Sequence, residues 1–391
     1  MSLEFSTVAL NDIVSLVIDY RGKTPKKIGA DWSESGIRAL SAKNIKTGQI
    51  IREDAIRYVD QELYNKWMKD EIKRNDILIT SEAPFGEVFF WDSDEKIVLS
   101  QRLFGVRCDE NKVNPKFIYF YMTSEMFQWE LQSRATGTTV KGLRQPELLK
   151  CEIQLPNIDN QRKISYILSN IESKINVLKE LNRNLLQLSK VFFKNWFVEF
   201  GPFGGVQPED WKICTLEDVC DLKAGGDKPN VVSDEITNTC IYPIYSNGLD
   251  KDGLYGYTDQ AKIFEESVTV SARGTIGFVC LRHIPYVPIV RLVSVIPKKE
   301  FISAKYLYLF LDRLNIIGTG TTQQQLTIPD FKKTEILVPT LDVIEFFTDY
   351  LKPIFEKIWI QEDEIKELSK LRDTLLPKLM SGEIDVSKIN Y

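Results

Sequence analysis

The chain writes one passage twice. Residues 135–156 read ATGTTVKGLRQPELLKCEIQLP, and 183 positions later residues 318–339 read GTGTTQQQLTIPDFKKTEILVP. Both copies carry Thr-Gly-Thr-Thr, then Leu143 or Leu326, Pro146 or Pro329, Lys150 or Lys333, Glu152 or Glu335, Ile153 or Ile336, and Pro156 or Pro339. Only the polar tip differs, Val-Lys-Gly against Gln-Gln-Gln. The repeat reaches further: FSTVALNDIVSL from Phe5 matches WKICTLEDVCDL from Trp211, and RGKTP (Arg21–Pro25) answers GGDKP (Gly225–Pro229). An internal repeat in 391 residues predicts two similar globules of about 140–155 residues rather than one large core.

Each copy reads as mixed α/β. Alternating β-branched runs, DILITSEAPFGEVFFW (Asp76–Trp91) and SVTVSARGTIGFVCLR (Ser267–Arg282), predict strands, and PKFIYFYMTS and AKYLYLFLDR predict a short helix in each. After Pro156 and Pro339 the apolar period changes to alternate fours and threes. The first seam is Ile164, Leu168, Ile171, Ile175, Leu178, Leu181, Leu185, Leu188 and Phe192; the second is Phe347, Leu351, Ile354, Ile358, Ile365, Leu368, Leu375 and Leu379. Such stripes predict two long helices that pair antiparallel as a coiled coil. Asp159 and Asp342 stand where N-caps are wanted, and Gly201 and Gly382 supply stops. Gln361 interrupts the second seam, and Pro353 predicts a kink or the true start of that helix. The expected domains are 1–156, a first globule closed before Pro156; 157–200, a helix; 201–340, a second globule closed before Pro339; 341–382, a helix; and a tail, 383–391. Two copies of one unit predict a pseudo-two-fold repeat.

Composition excludes more than it selects. The net charge is −5, and by segment it runs only between −4 and +3, so no stretch is the basic block of a nonspecific DNA coat. No apolar run approaches the roughly 18 residues of a membrane span. The opening MSLEFSTVAL lacks a basic-then-apolar segment with a cleavage site, so a cytoplasmic protein with no membrane partner is expected. Six cysteines without a CxxC pair, and the single His283, predict buried reduced thiols, no metal site and no Ser-His-Asp apparatus. Partial enzyme motifs fail. RGKT at Arg21 has Val17 where a phosphate loop needs its first glycine; NPKF at Asn114 has Lys116 where an amino-methyltransferase has proline; PDFKKTE at Pro329 lacks the terminal lysine of a nuclease.

What remains is polar loops at matched places, with side chains suited to base edges or phosphates: Lys23 and Thr24 against Lys228, Lys43 and Asn44 against Ser246 and Asn247, and Ser81 and Glu82 against Ala272 and Arg273. Thr138, Thr139 and Lys141 likewise answer Thr321, Thr322, Gln323, Gln324 and Gln325. Apart from Glu82 and Ala272, these are the candidate DNA-binding residues; none is a candidate for catalysis.

The order globule, long helix, globule, long helix resembles the specificity subunit of type I restriction-modification enzymes. Carrying the resemblance are TGTTxxxL and P…KxEIxxP before each helix, LSKVFFKNWFVEF (Leu188–Phe200) and LRDTLLPKLMSGEIDV (Leu371–Val386). The resemblance implies two target recognition domains, each reading one half of a split, asymmetric sequence in double-stranded DNA. It implies that the helix pair sets the spacing and that two methyltransferase (modification) subunits and the motor and nuclease (restriction) subunits are partners. S-adenosylmethionine, ATP and Mg would serve those partners, leaving no cofactor and no catalysis in this chain. Two other readings stay open: a diverged fused methyltransferase or nuclease, and a coiled-coil protein scaffold without DNA readout.

Overall fold

The computed structural model describes residues 4–137, 141–314, 316 and 326–389. The chain forms two compact units, Met1–Val177 with Glu364–Tyr391, and Leu178–Asp363.

In the first unit a four-stranded antiparallel sheet runs in the order Val14–Asp19, Leu103–Cys108, Ile77–Ser81, Phe85–Phe90. In the second unit Cys220–Ala224, Leu292–Pro297, Ser267–Ser271 and Val279–Arg282 repeat that order. The inner strands Ile77–Ser81 and Ser267–Ser271 are buried along their whole length, which is why they read as near-continuous apolar runs. Each unit adds a two-stranded ribbon that joins its first strand to its last, Ser6–Ala9 with Glu152–Leu155 and Lys212–Thr215 with Glu335–Val338. Each also has a three-stranded sheet with one parallel pair, Ile37–Leu40 beside Ile97–Leu99 and Tyr242–Tyr245 beside Val287–Pro288. The short helices are Pro115–Thr123, whose Asn114 cap accepts the Phe117 amide at 3.0 Å, and Ala304–Arg313, whose Ser303 cap accepts the Tyr306 amide at 3.2 Å. Among the described residues, the hairpin Ile45–Lys46/Gln49–Ile50 and the helix Gln61–Trp67 occur in the first unit only.

The long helices span Ile158–Phe197 and Leu341–Met380, 40 residues each, and begin and end at positions that correspond under the repeat. Both units show them running antiparallel. In the first, Lys163 Nζ donates to the Ser387 carbonyl at 2.6 Å and Lys174 lies 3.3 Å from Glu364. In the second, Asn182 Nδ2 donates to the Ile358 carbonyl at 3.3 Å and Phe192 meets Tyr350 edge-on at 4.8 Å.

Four expectations change. Asn157 caps the first helix, accepting the Asn160 amide at 2.9 Å, and Thr340 precedes the second. Asp159 and Asp342 lie one position inside the first turn, where hydrogen bonds from the Thr340 hydroxyl and from first-turn amides hold the Asp342 carboxyl below the usual range. The second helix is continuous through Pro353 and so does not start there; the exposed ring withholds a backbone donor from the carbonyl of an exposed residue, Asp349. Leu181 and Leu188 are 44% and 43% exposed, while Asn182 and the fully buried Ser189 take their places. A straight helix drifts about 20° per heptad against a strict 3.5-residue repeat, so over five heptads the buried stripe moves onto the next position. Ile164, Leu168, Ile175, Phe347, Leu351 and Ile358 are buried, and Ile171, Leu185, Ile354, Leu368 and Leu375 are half-buried. Gln361 is buried at 3%, and its Oε1, like Asn182 Oδ1, has no hydrogen-bond partner among the described residues.

Fourth, the globular cores do not close at the prolines. Ile164, Leu168, Leu379, Met380 and Val386 belong to the same cluster as Phe104 and Phe117. Phe193, Phe197, Ile344, Phe347 and Leu351 belong with Val268, Val295 and Tyr306. Each half of the helix pair is core for its own unit.

Candidate nucleic-acid interface

The loops at one end of each four-stranded sheet are tied by the same chain of backbone hydrogen bonds. In the first unit the Ser81 amide donates to the Arg102 carbonyl at 2.9 Å, and the Leu143 amide donates to the Ser81 carbonyl at 3.0 Å. In the second, the Ala272 amide donates to the Arg291 carbonyl at 2.9 Å, and the Leu326 amide to the Ala272 carbonyl at 2.8 Å. Ser81 thus corresponds to Ala272, Glu82 to Arg273, Arg102 to Arg291 and Leu143 to Leu326. The residue that ends Thr-Gly-Thr-Thr-x-x-x-Leu is the point where the variable tip is pinned to the sheet.

The first tip is closed by Thr136 and Gly142, which exchange backbone hydrogen bonds at 2.9 and 2.8 Å around residues 137–141. Arg21 buttresses it. Its Nε and Nη2 donate to Asp19 at 2.8 Å each, its Nη1 to the Leu143 carbonyl at 2.9 Å, and its guanidinium lies 3.8 Å over the Phe104 ring. The segment holding Lys43 joins the same end, because the Ala42 amide donates to the Gln101 carbonyl at 3.1 Å. In the second unit Asn247 Nδ2 donates to the Arg273 carbonyl at 2.8 Å, and Thr275 Oγ1 donates to the Asn247 carbonyl at 2.7 Å.

The candidate residues divide accordingly. Lys43, Lys141 and Lys228 are exposed, and Lys228 Nζ donates to the Tyr255 hydroxyl at 2.8 Å. Arg273, Ser246 and Asn247 are half-buried at the second tip. Thr138, Thr139, Thr321, Thr322, Gln323, Gln324 and Gln325 lie outside the described residues. Other candidates are committed to the fold. Asn44 is 3% exposed: its Oδ1 accepts from the Ser41 amide and hydroxyl at 3.1 and 2.9 Å, and its Nδ2 donates to the Ile51 and Arg52 carbonyls. Ser81 is 1% exposed at the end of its strand. Thr24 caps the short helix Pro25–Ile28, and Lys23 Nζ donates to the Trp67 carbonyl at 2.9 Å while lying over the Tyr20 ring. Sequence reading took these polar letters for loop tips because a buried side chain that satisfies backbone groups looks the same in sequence as an exposed one. It also missed Arg102 and Arg291. The signal was present as Arg-Leu at the start of a matched strand, Arg102-Leu103 and Arg291-Leu292.

Burial pushes the Cys108, Cys151, Cys220 and Cys280 thiols up to about 12, which keeps them protonated and unreactive near neutrality. His283 stacks on Trp359 at 4.0 Å. Among the described residues no three His, Cys, Asp or Glu side chains are grouped to hold a metal ion, and no helix is long and apolar enough to cross a membrane.

The family model described as "Type I restriction modification DNA specificity domain" matches residues 3–187 and 208–370. The chain is 25% identical to the type I restriction enzyme MjaIX specificity subunit of Methanocaldococcus jannaschii, covering 80% of this chain and 78% of that one. It is 24% identical to the HindI specificity subunit of Haemophilus influenzae, covering 81% of this chain and 88% of that one. The crystal structure of the type I restriction-modification S subunit from M. genitalium superimposes with a TM-score of 0.62 over 96% of both chains at 16% identity, which is agreement of fold.

Proposed function

Because this chain belongs to the type I restriction modification DNA specificity family, we propose that it is the non-catalytic reading subunit of a type I system. Each repeat reads one half of a bipartite double-stranded DNA target. The paired helices hold the unread spacing and dock two methyltransferase subunits, and motor and nuclease subunits complete the enzyme. S-adenosylmethionine, ATP and Mg serve those partners.

The observation that carries this reading is a pair of four-stranded frames of the same strand order with unlike tips. Both units fasten their tip by the same carbonyl–amide chain, yet the side chain next to it is Glu82 in one and Arg273 in the other. A carboxylate accepts from cytosine N4, whereas a guanidinium donates to guanine O6 and N7, so the two tips favour different base edges. The acidic net charge of −5 fits a reader whose affinity depends on its partners more than a nonspecific coat.

The test is sequencing of modified bases in DNA from cells that express this chain with its partner methyltransferase. The expected motif has two half-sites separated by an unread gap, each with an adenine methylated at N6, one per strand. A continuous motif, or methylation that does not depend on this chain, would contradict the proposal. Methyl transfer by the purified chain alone, given S-adenosylmethionine and DNA, would establish a fused enzyme instead.

A further inference from the structure

Arg102 and Arg291 share three properties that the rest of the tips do not. They occupy corresponding positions, each immediately before the inner strand that pairs with the sheet's first edge strand and with the other inner strand, Leu103–Cys108 or Leu292–Pro297. Both have a left-handed backbone, φ 64° and φ 76°, a conformation that glycine or asparagine adopts far more readily than arginine. Both are exposed at the tip end of the sheet, and each carbonyl is the first link of the hydrogen-bond chain that pins the variable loop. Strain accepted at the same place in both copies marks a side chain with a task, since glycine would hold the turn with less strain.

The task is not to hold the fold. Arg291 forms no ion pair among the described residues, and Arg102 makes only a half-exposed one, 3.1 Å to Glu82. Nor does it fit base reading. Beyond the one adenine expected in each, whose edge suits asparagine or glutamine rather than arginine, the half-sites of a split target differ in bases and share the sugar–phosphate backbone, and phosphate contacts position a protein on DNA while base contacts specify the sequence. A residue identical in both readers is matched to what both half-sites share, and the neighbouring Glu82/Arg273 difference is matched to what they do not. We propose that Arg102 and Arg291 are twin phosphate anchors, one per half-site, which set the register of each tip on the duplex without reading bases. This rests on the half-site reading proposed above.

The test uses the complete complex of this chain with its methyltransferase partner and the mapped target DNA. Arg102→Gln and Arg291→Gln are expected to leave both halves of the motif unchanged and to weaken binding to every target alike. Each lowers the slope of log affinity against log salt concentration by about 1. Arg102→Gly and Arg291→Gly relieve the backbone, so they are expected to melt no earlier than the parent chain while losing affinity in the same way. An altered base preference in one half-site, or unchanged affinity and slope, would overturn the proposal. Affinity lost together with a lower melting temperature in the glycine variants would make the role structural and overturn it as well. If the parent complex itself shows no bipartite motif, it is the half-site reading that has failed, and the anchors fall with it.

Discussion

Exchanging residues 178–363 for the matching segment of a relative with another target yields a folded chain that reads a hybrid motif, one half-site old and one new. The boundaries follow the core rather than the prolines. Phe197 contacts Phe347 edge-on at 4.7 Å and Tyr306 at 4.9 Å, so three parts of the chain, on either side of residues 201 and 340 and between them, meet in one aromatic cluster. Exchange of 201–340 alone sets foreign side chains against Phe193, Phe197, Ile344, Phe347 and Leu351, all between 0% and 5% exposed. Each misfit in such a core costs about 1–3 kcal/mol, and several together approach the roughly 5–15 kcal/mol by which a domain is stable. The shorter exchange is therefore expected to give a lower melting temperature or insoluble protein, and the longer one a parental melt with a hybrid motif. A folded 178–363 exchange that keeps the entire original motif would show that recognition is not divided between the repeats.

A second large effect concerns the gap between half-sites. Asn182 and Ile358 face each other across the helix pair at 3.3 Å, so four residues inserted beside each of them extend both helices at one level. The insertion adds about 6 Å of helix and turns it about 40° beyond a full turn, which keeps the apolar stripes facing. With DNA rising about 3.4 Å per base pair, the unread gap is expected to widen by about two base pairs while both half-sites stay as they were. Mapping the methylated motif of the double-insertion variant measures this directly. Full activity on the original gap would mean that something other than the helices sets it.

The repeat made most of the fold legible, because a shared frame leaves its apolar and proline positions in both copies. Ile158 and Leu341 start the long helices at corresponding residues, and both sheets adopt one strand order. Position along a long seam was less legible. Leu188 satisfies the letter pattern and is 43% exposed, while Ser189 is fully buried, since helical drift accumulates in space and not in sequence. The tips were legible only as places. Asn44 and Lys43 are adjacent in sequence; one is sunk into four hydrogen bonds with Ser41, Ile51 and Arg52, and the other stands in solvent. Arg102 and Arg291 escaped notice because their only mark in the sequence is a two-letter match, Arg-Leu, while what sets them apart is a backbone angle.

The central claim is that two alike frames read independently. Its most direct measurement is the methylated motif produced by the complex in which Gln323, Gln324 and Gln325, the variable tip of the second copy alone, are replaced together by alanine. The expected motif is relaxed or changed in one half-site and identical to the parent in the other. A folded complex whose motif is unchanged in both halves, or altered in both, would contradict it.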